Sequence, residues 1–506
     1  MKWFRKYHKW FSLAATVFIL FFAVSGIILN HRELLSGIDV SRRLLPPVYR
    51  YDNWNLAAVK GAVRTGGDSL LVYGNTGVWL TDSTFGSFKD LNRGFPEGSD
   101  NRKVNTMAWS ASSGLHAGTL FGLYRWEGAG WTRVELPAGS PRVVKVLPVG
   151  DSLLVMTRSE LFYAVKATGF RAFREIRLPA GEDDDGKVGL FKTLWVIHSG
   201  EIYGLAGKLI VDAVGVVFII LCITGLIYFF VPYRLQSMKD RLRRSRLKKF
   251  NRASLKWHNV LGSWGILILL LNTGTGMFLR PPLLIPIASE RVGKLKYTEL
   301  DSPNPWFDRL RDLRYDDSLK RFLVATSEGI YYSDDRFGSR LKPFTVQPPV
   351  SVMGINVFET LGPGRYLVGS FSGIFEWEPA SGRVLDAITR TEHRDTGRGG
   401  PPFGSVTVAG YIACNDSTRV VFDYARGAFA LEGRNPLPPI PGEVTAQSPM
   451  SLWNACLEIH TGRIFEPILG SFYILVVPVI GLATLFILVS GFFAWWLAKR
   501  RKGNAA

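Results

Sequence analysis

Ile459-His460-Thr461-Gly462-Arg463 stands just ahead of an apolar run that closes on Ser490-Gly491-Phe492-Phe493-Ala494-Trp495-Trp496. A near copy occurs earlier in the chain. Ile197-His198-Ser199-Gly200 leads into an apolar run closing on Thr224-Gly225-Leu226-Ile227-Tyr228-Phe229-Phe230. In both places a histidine and a glycine precede a segment of membrane length by a helical turn or more. The chain repeats itself, and the repeat decides how the rest is read.

Four apolar runs, about Trp10–Leu29, Leu209–Val231, Val260–Leu279 and Phe472–Leu497, each approach the ~20 residues a spanning helix needs. The formal net charge is +19, and much of it sits where topology explains it. Ten Lys and Arg residues lie between Arg234 and Lys256, opposed only by Asp240, and further basic residues flank the chain ends at Lys2, Arg5, Lys6 and Lys9 and at Lys499–Lys502. Basic residues on one side of all four runs predict cytoplasmic termini and a cytoplasmic loop, with the two long segments outside. Nucleic acid is not called for. The first run also has the outline of a signal peptide. Against removal, His8 precedes Gly26 by the same eighteen residues that separate His258 from Gly276, so the third run is an internal copy of the first.

The long segments repeat as well. Thr76-Gly77-Val78-Trp79-Leu80 matches Glu328-Gly329-Ile330-Tyr331-Tyr332, and Phe121-Gly122-Leu123-Tyr124-Arg125-Trp126 matches Ser372-Gly373-Ile374-Phe375-Glu376-Trp377. The chain reads as a tandem duplication of a helix–β–helix unit, with parallel repeats about an axis along the membrane normal. The expected fold class is an α-helical bundle of four membrane spans with an all-β extracytoplasmic domain. Its parts are a first span (1–31), a β-rich half (32–190), a histidine segment with the second span (191–233) and a basic loop (234–256). The third span (257–280), a second β-rich half (281–450), a further histidine segment with the fourth span (451–498) and a basic tail (499–506) complete it. Strand-like runs ending in a Gly-aromatic step recur around 70–80, 117–126, 152–165, 321–333, 366–377 and 410–424. A spacing of roughly 40–45 residues suits one propeller blade. Three blades per half predict a six-bladed propeller, with two separate small sandwiches as the alternative.

The chemistry lies in the histidines. Of seven, five fall at the ends of membrane runs: His8 and His258 at the cytoplasmic ends, and His31, His198 and His460 at the outer ends. Histidine in a membrane needs a protein interior and a partner, and neutral imidazole is the usual axial ligand of haem in helix bundles. His8 and His31 are 23 residues apart, roughly 35 Å of helix. One site on each side is therefore expected, an inner one near His8 and His258 and an outer one near His198, His460 and His31. The plain alternative for a histidine at a helix end is an interfacial or dipole-capping residue, most of all for His31. Glycines at 26, 200, 225, 276, 462 and 491 would admit a macrocycle against a helix, or else serve close helix packing. His116 and His393 read as surface residues, and Asp212 as interfacial, with a functional carboxylate as the alternative. Cys222, Cys414 and Cys456 form no Cys-x-x-Cys pair, which excludes a zinc ribbon, a cysteine-ligated cluster and a c-type haem site. No glycine-rich dinucleotide fingerprint is present, so electrons would come from a membrane quinol or a cytoplasmic donor.

His8-Lys9-Trp10 with Ser25-Gly26, and Ile459-His460-Thr461-Gly462-Arg463 with its closing Ser490-Gly491 and tryptophans, resemble the PepSY-associated transmembrane family, bacterial inner-membrane proteins often regulated by iron. The likeness covers the four runs and their flanks, about a third of the chain. It implies a b-type haem protein, holding two haems through His8, His258, His198 and His460, that passes electrons across the membrane to ferric siderophores in the periplasm. Outside the membrane the β repeats replace a recognisable PepSY module, which leaves the acceptor open between a ferric chelate and a periplasmic redox partner. A membrane-anchored propeller that only binds or scaffolds is the rival reading.

Overall fold

The computed structural model describes residues 2–351, 354–393, 404–414 and 418–503. The chain divides into two compact units: Met1–Leu35, Gly186–Ser302 and Leu452–Ala506 form the first, Ser36–Asp185 and Pro303–Ser451 the second.

The first unit is helical. Helix α1 (Lys2–Asn30), a short α2 (Leu190–Ser199), α3 (Gly204–Gln236), α4 (Arg241–Trp264) and α5 (Ile266–Met277) come from its earlier segments. A short helix in the second unit, α6 (Gly442–Ala446), is followed by α7 (Leu452–His460), α8 (Glu466–Leu469) and α9 (Val476–Gly503). Among the described residues three helices are long and apolar enough to cross a membrane: Lys6–Asn30, Glu201–Gln236 and Arg463–Arg501. The third expected run is not one straight helix. Its chain bends by 68° between α4 and α5, because Gly265 leaves the helical conformation (φ −82°, ψ 0°) while its N–H still reaches Leu261 O. The basic stretch read as a loop is also different. Asp240 caps it, accepting from the N–H groups of Leu242 and Arg243, and α4 runs from there through the basic residues without a break.

Packing inside this unit follows the repeat. Helix α1 lies against α3, α7 and α9, and α5 lies against α9 and α2. Glycines Gly200 (φ +81°) and Gly462 (φ +75°), expected to face a macrocycle, instead end α2 and α7 in the left-handed conformation that only glycine adopts freely. A β-carbon on Gly200 would lie 2.2 Å from the Gly207 carbonyl oxygen. Their role is to turn the chain sharply into the following helix.

The second unit is all-β apart from short helical turns, built from small antiparallel sheets. Among the described residues five have four strands (within 61–90, 104–134, 143–176, 310–343 and 355–386) and one has three (408–430). In five sheets the Gly-aromatic hairpins expected from the sequence form the second and third strands, as in Ser69–Gly74 with Gly77–Asp82 and Arg365–Ser370 with Gly373–Glu378. In the last sheet the expected stretch forms the first two strands. Apolar cores lie between neighbouring sheets rather than within one, for example Leu71, Val104, Leu115 and Trp131 between the first two. The opening strands of consecutive sheets lie side by side, and Val408–Ala413 lies beside Gly61–Gly66. Polar bonds cross these joints. Lys60 Nζ donates to Asn105 Oδ1 (2.8 Å), Asn105 Nδ2 to Val143 O (3.1 Å) and Asn356 Nδ2 to Val408 O (2.8 Å). Lys145 pairs with Asp312 (2.9 Å), and the Tyr411 N–H donates to Lys60 O (3.2 Å). They surround a cavity of about 260 Å³ lined by Lys60, Asn105, Lys145, Asp312, Asn356 and Tyr411.

Candidate functional site: two histidine pairs

The helical unit brings four of the five expected histidines together two by two. His8 and His258 face each other with ring centres 6.2 Å apart and planes at 81°. His198 and His460 do the same at 6.0 Å and 47°. Each ring lies against a glycine of another helix: His8 on Gly491, His258 on Gly225, His198 on Gly276 and His460 on Gly26. An added β-carbon would come within 2.8, 3.6, 2.6 and 3.2 Å of the respective ring. These glycines therefore make room for imidazoles.

One hydrogen-bond pattern is written four times. The residue before each glycine is Ser or Thr, and its hydroxyl donates back to a carbonyl one turn earlier in its own helix. Ser25 reaches Phe21 O (2.5 Å), Thr224 Ile220 O (2.6 Å), Thr275 Leu271 O (2.8 Å) and Ser490 Ile487 O (3.1 Å). With its proton committed, the hydroxyl presents a lone pair to the histidine Nδ1, at 3.0 Å for Ser25–His460 and Thr224–His258 and at 3.4–3.5 Å for Ser490–His8 and Thr275–His198. The same Nδ1 lies on the carbonyl oxygen four residues before the glycine. Phe22 serves His460, Asn272 serves His198 and Ile487 serves His8, each at 3.0 Å, and Leu221 serves His258. A carbonyl can only accept, so Nδ1 carries the proton in all four rings and Nε2 keeps a free lone pair. Holding the tautomer by a bond on the far nitrogen is how proteins prepare imidazole to bind a metal.

The donor set is specific. A metal–imidazole bond of about 2 Å, added to the distance from nitrogen to ring centre, puts two imidazoles on opposite sides of one metal roughly 6 Å apart between centres. Both pairs have that spacing. Among the described residues no group of three or more His, Cys, Asp or Glu could hold a metal ion. Two facing imidazoles without further protein donors suit a metal that arrives with its own equatorial ligands, and haem iron is such a metal.

His31 joins neither pair. Its Nε2 is engaged by Asp212 Oδ2 at 2.7 Å, and Asn30 Nδ2 donates to Asp212 Oδ1 at 2.9 Å. Asp212, read as interfacial, is thus a direct hydrogen-bond partner of His31. His116, expected at the surface, is fully buried in the strand Gly114–Thr119. Burial and the Arg125 charge on the adjoining strand push its pKa down to about 4. His393 is half-buried, with its ring against Phe375. The sequence alone did not single out Thr224, Thr275, Ser25 and Ser490 as histidine partners. The signal was present, since each is the small hydroxyl residue directly before a glycine of the repeat.

No curated protein matches the chain. Among solved structures it is similar to the extracellular domain of a hybrid two-component system from B. thetaiotaomicron, at 10% identity and a TM-score of 0.36, covering 74% of this chain and 32% of that one. It is also similar to PorZ, a surface component of the type-IX secretion system of Porphyromonas gingivalis, at 11% identity and a TM-score of 0.18, covering 74% and 44%. The chain therefore spans a third of the length of the first and under half of the second. The PepSY-associated TM region matches residues 5–499, nearly the whole sequence, and the chain belongs to that family of membrane proteins.

Proposed function

We propose that this protein carries electrons across the membrane through two b-type haems and delivers them singly to ferric chelates on the outer side. The observation that carries the reading is the doubled pair, His8 with His258 and His198 with His460, at ring spacings of 6.2 and 6.0 Å with every Nδ1 tied back. Haem supplies a one-electron ferric–ferrous couple when bound. The chain's own residues do the rest. The four histidines present Nε2, the Ser/Thr-Gly steps fix the rings, and the apolar helices keep water away. Reduction of iron(III) weakens its hold on hard oxygen donors, so single electrons suffice and no acid–base machinery is required.

On this reading α4 and α5 together make the third of four spans of an inner-membrane protein with cytoplasmic termini, and the donor is a quinol or a cytoplasmic redox protein. The positive-inside rule supports that orientation, because the basic residues gather at the chain ends and between the second and third runs. The β unit reads as a six-bladed propeller. Support comes from six small sheets whose opening strands neighbour one another in sequence order, with the last beside the first.

The test is a reduced-minus-oxidised visible spectrum of detergent-purified protein with haem counted per chain, for the wild type and for alanine variants of His8, His258, His198 and His460. About two haems per chain, with sharp low-spin bands that halve in each variant, is the expected result. A folded, monodisperse but colourless protein from haem-replete cells would sink it. That outcome would leave a ligand-binding protein, the reading favoured by the polar cavity among the opening strands.

A further inference from the structure

The two halves of the helical unit are alike at the histidine pairs and unlike beside one of them. Counting from equivalent residues, Arg463 follows His460 by three positions, where Glu201 follows His198. Arg280 follows Gly276 by four, where Asn30 follows Gly26. Glu458 stands where the other half has Val196, and Tyr473 where it has Gly207.

These differences cluster in space. Arg280 hydrogen-bonds Tyr473 and has Arg463 and Glu458 as charged neighbours. Arg463 makes a two-pronged bond to the buried Glu458, Nε to Oε2 at 2.9 Å and a terminal nitrogen to Oε1 at 2.5 Å. Two guanidinium groups thus stand close together around one carboxylate. On the other half, Glu201 is matched by Lys208 at 3.2 Å, and Asp212 by His31 and Asn30. Arg280 lies four residues beyond Gly276, the glycine on which His198 rests, in the turn that follows the end of α5. Both arginines are half-buried next to membrane-length helices, where a cation is costly without an anionic partner, and the one carboxylate of the cluster, Glu458, is engaged by the fork of Arg463.

A pair of facing histidines related by a pseudo-twofold cannot tell one edge of a planar group from the opposite edge. Haem is not symmetric, since both of its propionates leave from one edge. Resting on the haem reading above, we propose that Arg280 and Arg463 bind those two carboxylates and so set which way round the group sits between His198 and His460. Arginine suits the task because its planar fork meets a carboxylate with two parallel hydrogen bonds. The arginines are positioning residues. They touch the edge of the cofactor, and the iron is left to the histidines.

The experiment is a redox titration of full-length protein in nanodiscs of zwitterionic lipid, comparing wild type, R280Q, R463Q and the charge-keeping R280K and R463K. Each is loaded in parallel with haem or with haem dimethyl ester, in which the propionates are esterified. With haem, the Gln variants should lower the potential of one of the two components and leave the other in place, because an uncompensated propionate favours the ferric state. The Lys variants should stay near wild type. With the dimethyl ester the Gln substitutions should shift that component much less. Equal shifts with both cofactors, or none with either, would overturn the assignment. So would a shift seen only after anionic lipid is added, which would mark a headgroup as the bound anion. A wild-type chain that takes up neither cofactor would instead remove the haem reading itself.

Discussion

Gly276 and Gly225 occupy equivalent stations at their histidines yet differ in how much space they leave. A β-carbon would sit 2.6 Å from the His198 ring at Gly276 and 2.8 Å from His8 at Gly491, but 3.6 Å from His258 at Gly225. Overpacking costs about 1–3 kcal/mol, whereas Gly→Ala inside a helix gains up to about 1 kcal/mol of propensity. Gly276→Ala and Gly491→Ala should therefore destabilise the helical unit and Gly225→Ala should be neutral or stabilising, measured by SDS-driven unfolding. Equal losses at all three would refute the contact argument. His116 makes a second prediction. Unfolded, its imidazole takes a proton near pH 6.5; folded, it resists until about pH 4. The unfolded chain then binds more protons in between, so stability is complete above pH 6.5 and declines as the pH falls towards 4, by up to about 3 kcal/mol. His116→Phe should flatten that decline in the thermal unfolding midpoint followed by tryptophan fluorescence. The four pairing histidines were legible because their surroundings recur at a fixed offset. His116 was not, because every residue from Leu115 to Thr119 is buried and a strand covered on both faces shows no alternation.

Among the helices, α4 shows what a hydropathy reading misses. Apolar windows register composition, so they located the run beginning near Val260 but could not sense the 68° bend at Gly265. The dense basic residues ahead of it, set between two apolar runs, read as a cytoplasmic loop, although like charges packed so closely repel. The structure resolves that repulsion by leaving the side chains exposed around a helix started by Asp240. Asp240 accepts from Leu242 N–H at 2.9 Å and Arg243 N–H at 3.1 Å, and it is an acidic group at a helix N-terminus. Asp240→Ala should cost the first turn about 1 kcal/mol. Hydrogen exchange should report this as roughly fivefold faster exchange at Leu242–Arg244, with Lys256–Val260 unchanged. If the first turn exchanges at the wild-type rate, the cap contributes nothing.

For the molecule as a whole, the β unit was legible as a count and not as an arrangement. Spacings of about 40 residues announced six similar pieces, but no local pattern says which piece neighbours which. Contacts between the last sheet and the first join residues some 350 positions apart. Gly410 sits at that joint, and a β-carbon there would meet the backbone of Val59 and Lys60 at 2.5–2.6 Å. Neither can move without breaking the Tyr411–Lys60 bond. Gly410→Val should destabilise the β unit by about 3 kcal/mol or more, while Gly442→Ala, in open space, should not. Proteolytic susceptibility of the full chain compares them, and equal resistance would mean the joint carries no stability. The helical unit has a global property of its own. His8 and His198, from the first half of the sequence, rest on Gly491 and Gly276 of the second; His258 and His460, from the second, rest on Gly225 and Gly26 of the first. Both pairings also join one histidine from each half. This reciprocity, i on j and j on i, is the signature of an isologous interface between identical subunits. A single half could assemble neither pair, so if the chain arose by duplication the single unit would have had to work as a homodimer, and fusion would turn a concentration-dependent partnership into a permanent one. Once covalent, the halves were free to diverge, and the contrast between Arg280 and Asn30, or Arg463 and Glu201, is an asymmetry that no dimer of identical chains could have acquired.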